Sequence, residues 1–165
     1  MSQEKPNETL WDLIKDIRFG MLTTRHADGV LHARPMTVQN KDMEDGHTLY
    51  FFASKSGELA DDLLADPLVG VTFADKGKDA YVGASGRARF VEDQAMKEAL
   101  FNTMAKAWFP QGVNDPDLGL VAVDLVKAEY WDVTENKATQ LIKMAKAALT
   151  GQPPSMGEHR EVPLH

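Results

Sequence analysis

The sequence predicts a mostly-β α+β protein: six or seven antiparallel strands rolled into a barrel, with helices at its periphery. Three observations carry that prediction. Segments of two-residue period follow one another without the regular βα alternation of a doubly wound sheet. Tight-turn signals such as Ala27-Asp28-Gly29 and Asp75-Lys76-Gly77-Lys78-Asp79 separate neighbouring strands. The 165 residues, 43% of them hydrophobic, suffice for one well-buried core without cysteine staples. Residues 1–150 read as a single domain and residues 151–165 as a mobile tail, since the tail holds few apolar groups.

The elements follow in order. Residues 1–6 form a loose lead-in. From Asn7, a good helix-capping type, Leu10, Leu13, Ile14 and Ile17 keep helical spacing up to Arg18. Phe19–Thr24 and Val30–Gln39 make a hairpin, and Pro35 marks an edge or a bulge in its second strand. A polar turn over Lys41–His47 leads to a strand at Thr48–Ala53. Ser56 can cap a short helix that turns Leu59, Leu63 and Leu64 inward and stops at Pro67. Leu68–Ala74 and Tyr81–Val91 are strands. Asp93 caps a helix with Met96, Ala99, Leu100, Thr103, Met104, Ala107 and Trp108 on one stripe, ended by Phe109-Pro110-Gln111-Gly112. Leu118–Val126 and Lys127–Val133 are nearly continuous strands. A fourth helix, Glu135–Leu149, buries Ala138, Leu141, Ile142, Ala145 and Leu149 before Gly151 and Pro153-Pro154.

Composition removes several function classes. The net charge of −7, from 25 acids against 18 bases, argues against nucleic acid or an anionic membrane as main partner. With no cysteine there is no disulfide, zinc-thiolate site, iron–sulfur cluster or thiol nucleophile. No segment reaches the ~18 apolar residues of a membrane span, and the charged start carries no signal peptide. The expectation is a cytoplasmic protein.

Candidate chemistry is sparse. His26 and His32 flank one hairpin turn and can approach each other, yet no HxH or HxxxH spacing supports a metal site. Gly83-Ala84-Ser85-Gly86 lacks the helix of a nucleophile elbow, so its glycines read as places of close backbone approach. Asp61-Asp62 reads as a solvated face, and Asp115-Pro116-Asp117 as a turn leading into the next element. No catalytic residue is assigned. Two features stand out. Ser54-Lys55-Ser56, where a strand ends and a helix begins, offers hydroxyls, amides and a cation to an anion; the alternative is a cap with a solvent-facing lysine. Arg34 stands on an apolar strand face, where it must meet either an anionic or π-rich ligand or an acid of the protein itself. Trp108-Phe109-Pro110 and Tyr130-Trp131 add aromatic weight, the latter pair on opposite strand faces.

After a helix and a hairpin, five segments occur in a telling order: His32-Ala-Arg-Pro-Met-Thr37, Tyr50-Phe-Phe-Ala-Ser-Lys-Ser56, Asp66-Pro-Leu-Val69, Tyr81-Val-Gly-Ala-Ser-Gly-Arg-Ala88 and Ala128-Glu-Tyr-Trp-Asp132. Over roughly Glu8–Ala148 the chain resembles the FMN-binding split-barrel superfamily, related to pyridoxamine 5′-phosphate oxidase, and within it the bacterial general stress protein branch. The resemblance implies a split barrel that binds FMN rather than FAD at the interface of a homodimer. It implies that Arg34, Pro35, Met36 and Thr37 lie along the flavin and that Phe52 lies beside it. By the same likeness Ser54, Lys55 and Ser56 meet the phosphate, Tyr81 and Gly83 approach the cofactor, and Trp108 and Trp131 close the pocket. It implies a flavin-dependent oxidoreductase, or else a flavin carrier or sensor; related barrels also use deazaflavin or haem. Pyridoxamine phosphate oxidation itself is not implied. Where the oxidases carry Ser-Arg-Lys this chain has Ser56-Gly57-Glu58, and where they follow the late tryptophan with an arginine- and histidine-containing motif, Trp131 is followed by Asp132-Val-Thr-Glu-Asn-Lys137 leading into a helix.

Overall fold

The computed structural model describes residues 6–41, 47–133, 137–154 and 157–164. Residues 1–5 of the expected lead-in, most of the polar turn after Lys41, and Glu135 therefore lie outside the described residues. Helix α1 spans Pro6–Ile17, starting one residue before the expected cap Asn7. Arg18 ends it in the left-handed conformation, φ 59°, and its guanidinium donates to the carbonyls of Val38 and Asn40, both at 3.1 Å. The hairpin is β1 (Phe19–Arg25) and β2 (Leu31–Thr37), with Met21 opposite Pro35 and Leu22 opposite Arg34. Strand β3 (Thr48–Ser54) leads to α2 (Glu58–Ala65), β4 (Leu68–Asp75) and β5 (Ala80–Val91).

The single helix expected after Asp93 is two helices, α3 (Gln94–Leu100) and α4 (Thr103–Trp108). Asp93 caps the first and Asn102 the second, each accepting a backbone N–H. Asn102 breaks the stripe, so Met104 and Trp108 are exposed rather than buried. After a 3₁₀ turn at Gly112–Asn114 comes β6 (Leu118–Asp132), one long strand. Its pairing with β5 shifts between Ser85 and Gly86, so Val126 bulges where the sequence divides it into two. Helix α5 spans Lys137–Thr150.

All the strand pairs are antiparallel, in the order β2-β1-β4-β5-β6-β3. The sheet curls until its ends approach. Gln39 donates its N–H to the Tyr50 carbonyl at 2.8 Å, and buried Asn40 bonds both the carbonyl of Thr48 and the N–H of Tyr50 at 2.8 Å. The inward faces carry Leu22, Val71, Val82, Phe51, Val121 and Val123, and α1 closes the core with Leu10 and Ile14.

Three expectations are corrected. Leu64 is 88% exposed while Leu59 and Leu63 are buried, because only the latter two share the α2 face that meets the sheet. On α5, Leu141, Ile142 and Leu149 are exposed, 67%, 70% and 89%, so its apolar stripe is not part of this core. The segment expected to be a mobile tail contains β7 (Glu158–Pro163), which pairs with β6 residues 127–132 and buries Val162 and Leu164.

Candidate functional site

A cavity of about 660 Å³ opens between the ends of β2 and β3 and helix α4, within the ~300–1,000 Å³ range of small-molecule sites. Six residues expected at a cofactor line it: Pro35, Met36 and Thr37 from β2, Phe52 and Ser54 from β3, and Trp108 from α4. They meet because β2 and β3 are the two ends of the curled sheet, joined by the Gln39–Tyr50 and Asn40 bonds. Asn102 donates to Gln39 at 2.6 Å, which ties α4 to the same rim. Phe19, Met104, Ala105 and Phe109 complete an aromatic and thioether wall, and Gln39, Asp115 and Asp117 add polar groups.

The anion-binding groups are engaged by the protein's own acids. Ser54 Oγ donates to Asp117, and the Ser56 N–H donates to the same carboxylate at 2.9 Å. These bonds hold the Asp117 carboxyl below the usual carboxylate range. The Ser54 and Ser56 hydroxyls lie 3.1 Å apart. Gly57, not Ser56, caps α2. Lys55 pairs with Glu92 at 2.9 Å. Behind it lies Lys97, only 5% exposed; burial pushes its ammonium group down, Lys55 adds to that, and Glu92 opposes it.

Arg34 does not line the cavity. Its guanidinium donates to Asp62 at 3.0 Å, to Thr24 at 2.9 Å, and to a ring nitrogen of His32 at 2.8 Å. Of the two readings of this arginine, pairing with an acid of the protein is the one observed. Its Nη1 is buried without a hydrogen-bond partner. Asp62 also accepts from Thr24 Oγ1 at 2.7 Å and lies 2.6 Å from His26 Nδ1. The expected solvated pair Asp61-Asp62 is thus split: neighbouring helix positions point apart, Asp61 outward and Asp62 to zero exposure. Glu58, one turn earlier, lies 3.5 Å from His32 and 3.9 Å from His26. His26, Glu58 and Asp62 thus gather three donor atoms within 4.8 Å. Arg34 already pairs with Asp62, and His26 and His32 stand against the two carboxylates, so the group reads as an ion cluster of the protein's own side chains.

Tyr81, Gly83 and Trp131 lie elsewhere in the described chain. Tyr81 pairs with Trp131 across β5 and β6, and both are partly exposed, 38% and 37%. Trp131 stacks on His159 of β7 with ring centroids 4.8 Å apart, and His159 bonds Glu129 at 3.0 Å. Tyr130, on the other face, is buried.

Sequence reasoning missed Asp117 and Phe109 as lining residues. Phe109 was legible as aromatic weight at a helix stop, but not as part of a cavity wall. Asp117 reaches Ser54 because β3 pairs with β6 in a register that sets Ser54 opposite Leu118, and nothing local to either segment carries that register.

The profile of the family described as pyridoxamine 5′-phosphate oxidase like matches residues 5–155. Protein bli-3 of Neurospora crassa is 28% identical over 154 residues, 88% of this chain and 73% of its own. General stress protein 26 of Bacillus subtilis is 26% identical over 127 residues, 75% of this chain and 86% of its own. The crystal structure of the general stress FMN/FAD binding protein of Xanthomonas citri superposes with a TM-score of 0.68. It is 34% identical, and the match covers 80% of this chain and 91% of that one. With the curled antiparallel sheet and the cavity between its ends, these similarities lead to one conclusion: the chain belongs to the pyridoxamine 5′-phosphate oxidase-like family, in its general stress protein branch.

Proposed function

We propose that this protein binds a flavin, FMN rather than FAD, in the cavity between β2, β3 and α4, and acts as a flavin-dependent oxidoreductase of the general stress type. One observation carries the reading: six of the residues that the family resemblance puts at the flavin converge on one cavity with aromatic walls. The 34% identical Xanthomonas citri protein, named as FMN/FAD binding, supports it.

The fit differs between the two ends of the ligand. A planar isoalloxazine ring suits the wall of Phe52, Trp108, Met36 and Met104, since thioethers and aromatic faces both pack on π-systems. Gln39 is held at the rim, its amide nitrogen 3.3 Å from the Thr37 carbonyl, and with Thr37 can serve ring heteroatoms. At the phosphate end no lysine or arginine lines the cavity among the described residues, and Lys55, the cation of the Ser54–Ser56 segment, is paired with Glu92. Histidine and tyrosine are absent from that lining among the described residues, so Met36 and Met104 are the only residues there of a type that ligates haem iron.

When bound, the flavin supplies the electron or hydride transfer. The chain's part is to orient the ring, to exclude water with Trp108 and Phe109, and to leave an opening for a second reactant. A homodimer, with Tyr81 and Trp131 of a second copy closing the cavity, follows from the same reading. The exposed apolar stripe of α5 supports it as a further surface to be covered. The setting is cytoplasmic on this reading; no helix among the described residues is long and apolar enough to cross a membrane.

Purification and visible spectroscopy test the proposal. A yellow protein, or a colourless one that takes up FMN with saturation, is the expected result. Failure to bind either FMN or riboflavin overturns it. Turnover with NADH or NADPH and an artificial acceptor then separates an oxidoreductase from a carrier or sensor.

A further inference from the structure

We propose that Asp117 is an internal competitor of the flavin phosphate, a specificity-determining residue that keeps FMN exchangeable by holding the groups a phosphate would take. The inference rests on the flavin reading of the cavity and names what controls one end of it.

Three observations converge. Ser54 Oγ and the Ser56 N–H, the donors a phosphate would use where β3 ends and α2 begins, both bond the Asp117 carboxylate. Lys55, the one cation of that segment, is paired with Glu92 at 2.9 Å. Arg34, the other cation expected at the cofactor, is committed to fully buried Asp62 at 3.0 Å. Every group expected to neutralise a dianion already has an acid of the protein as its partner.

The three acids are not equally able to yield. Glu92 is 73% exposed in its side chain and can turn into water when an anion arrives at Lys55. Asp62 has no exposed surface and three hydrogen-bonding neighbours, so it keeps Arg34. Asp117 is the one whose contest decides affinity, because it lines the cavity and stands on the donors themselves. It is also ionised at neutral pH, its hydrogen bonds from Ser54 and Ser56 favouring the charged form. A bound phosphate must therefore displace a carboxylate or sit beside one, and like charges a few ångströms apart repel strongly in a half-buried site. Riboflavin, with the same ring and no phosphate, meets neither obstacle.

The test compares FMN and riboflavin affinities of wild type and Asp117→Asn by fluorescence quenching. The amide keeps an acceptor for the Ser56 N–H but removes the charge. The expected result is FMN binding tightened at least about tenfold, with riboflavin changed less than about twofold. Thermal unfolding with inorganic phosphate gives a flavin-independent readout: phosphate should stabilise Asp117→Asn and leave wild type unmoved. In a second variant, Ser54→Ala, FMN affinity should change little in wild type but fall in the Asp117→Asn background, where the hydroxyl is released. An unchanged or weakened FMN affinity in Asp117→Asn, with riboflavin still binding, overturns the role of Asp117 and leaves the flavin reading intact. If no form binds any flavin, the flavin reading fails, and the phosphate arm alone decides Asp117: equal stabilisation of both forms, or of neither, overturns it.

Discussion

His26 Nδ1 lies 2.6 Å from Oδ1 of Asp62, a carboxylate with no exposed surface, and the bond joins the β1–β2 hairpin to helix α2. Hydrogen bonding to Asp62 raises His26 above its ordinary 6.5, against a smaller opposing effect of burial. Burial alone would push Asp62 up; hydrogen bonds from Thr24 and His26 and the charges of His26 and Arg34 hold it below 3.8. A raised histidine stabilises fully below its unfolded value and loses that contribution as pH rises through its folded value. Melting temperatures of wild type and His26→Gln, followed from about pH 5.5 to about 9, should therefore converge on the alkaline side. Parallel curves would show that His26 carries no linked proton.

Asp62 and Asp61 should respond in opposite ways. Asp62→Ala leaves Arg34 and Thr24 without their acceptor and should cost about 3 kcal/mol. Asp61→Ala, at a solvated position, should stay within about 0.5 kcal/mol. Urea unfolding reads both, and similar costs would remove Asp62 from the centre of this network.

Gly86 and Gly83 make a second contrasting pair. A Cβ on Gly86 would stand 2.3 Å from the Asp124 carbonyl oxygen, a backbone atom beside the β6 bulge that cannot turn away. A Cβ on Gly83 would meet Trp131 at an ordinary 3.7 Å. Gly86→Ala should lose more than about 2 kcal/mol, and Gly83→Ala less than about 1. Equal losses in chemical denaturation would refute the close approach.

The apolar stripe of α5 gives a prediction about assembly. Substituting Leu141 and Ile142 together by lysine should leave the fold's circular dichroism unchanged, since neither side chain is in the core. If that stripe meets a second copy, light scattering will show a dimer for wild type and a monomer for the double variant. A dimer unaffected by both lysines would move the interface elsewhere.

The strands were legible because two-residue alternation and turn residues such as Asp28-Gly29 are local signals. What lay hidden was each element's register on its neighbours. Periodicity marks Leu59, Leu63 and Leu64 alike as apolar, but only the seating of α2 on the sheet decides that Leu64 faces out. Asp61 and Asp62 are chemically identical to a reader of the sequence, and the same seating separates them. β7 was invisible for another reason: an edge strand needs little more than backbone donors and acceptors, and Val162 is its single buried apolar residue. Of the lining residues, Ser54 was legible as part of a local anion-site pattern, whereas Pro35, Met36, Thr37 and Phe52 were placed by the family resemblance of the short stretches that hold them. Asp117 was not, because β3 and β6 are far apart in the chain.

That separation also bears on how the molecule comes into being. Strand β3 takes its ladder from β6, with Thr48 opposite Asp124 and Ser54 opposite Leu118. The β1–β2 and β4–β5 hairpins can zip early from neighbouring segments, whereas β3 waits for a strand made much later. During synthesis, Phe51 and Phe52 are therefore left to the nascent chain's own collapse or to a chaperone. The cavity between β2, β3 and α4 can therefore take shape only once β6 has emerged, with α5 and β7 still to follow.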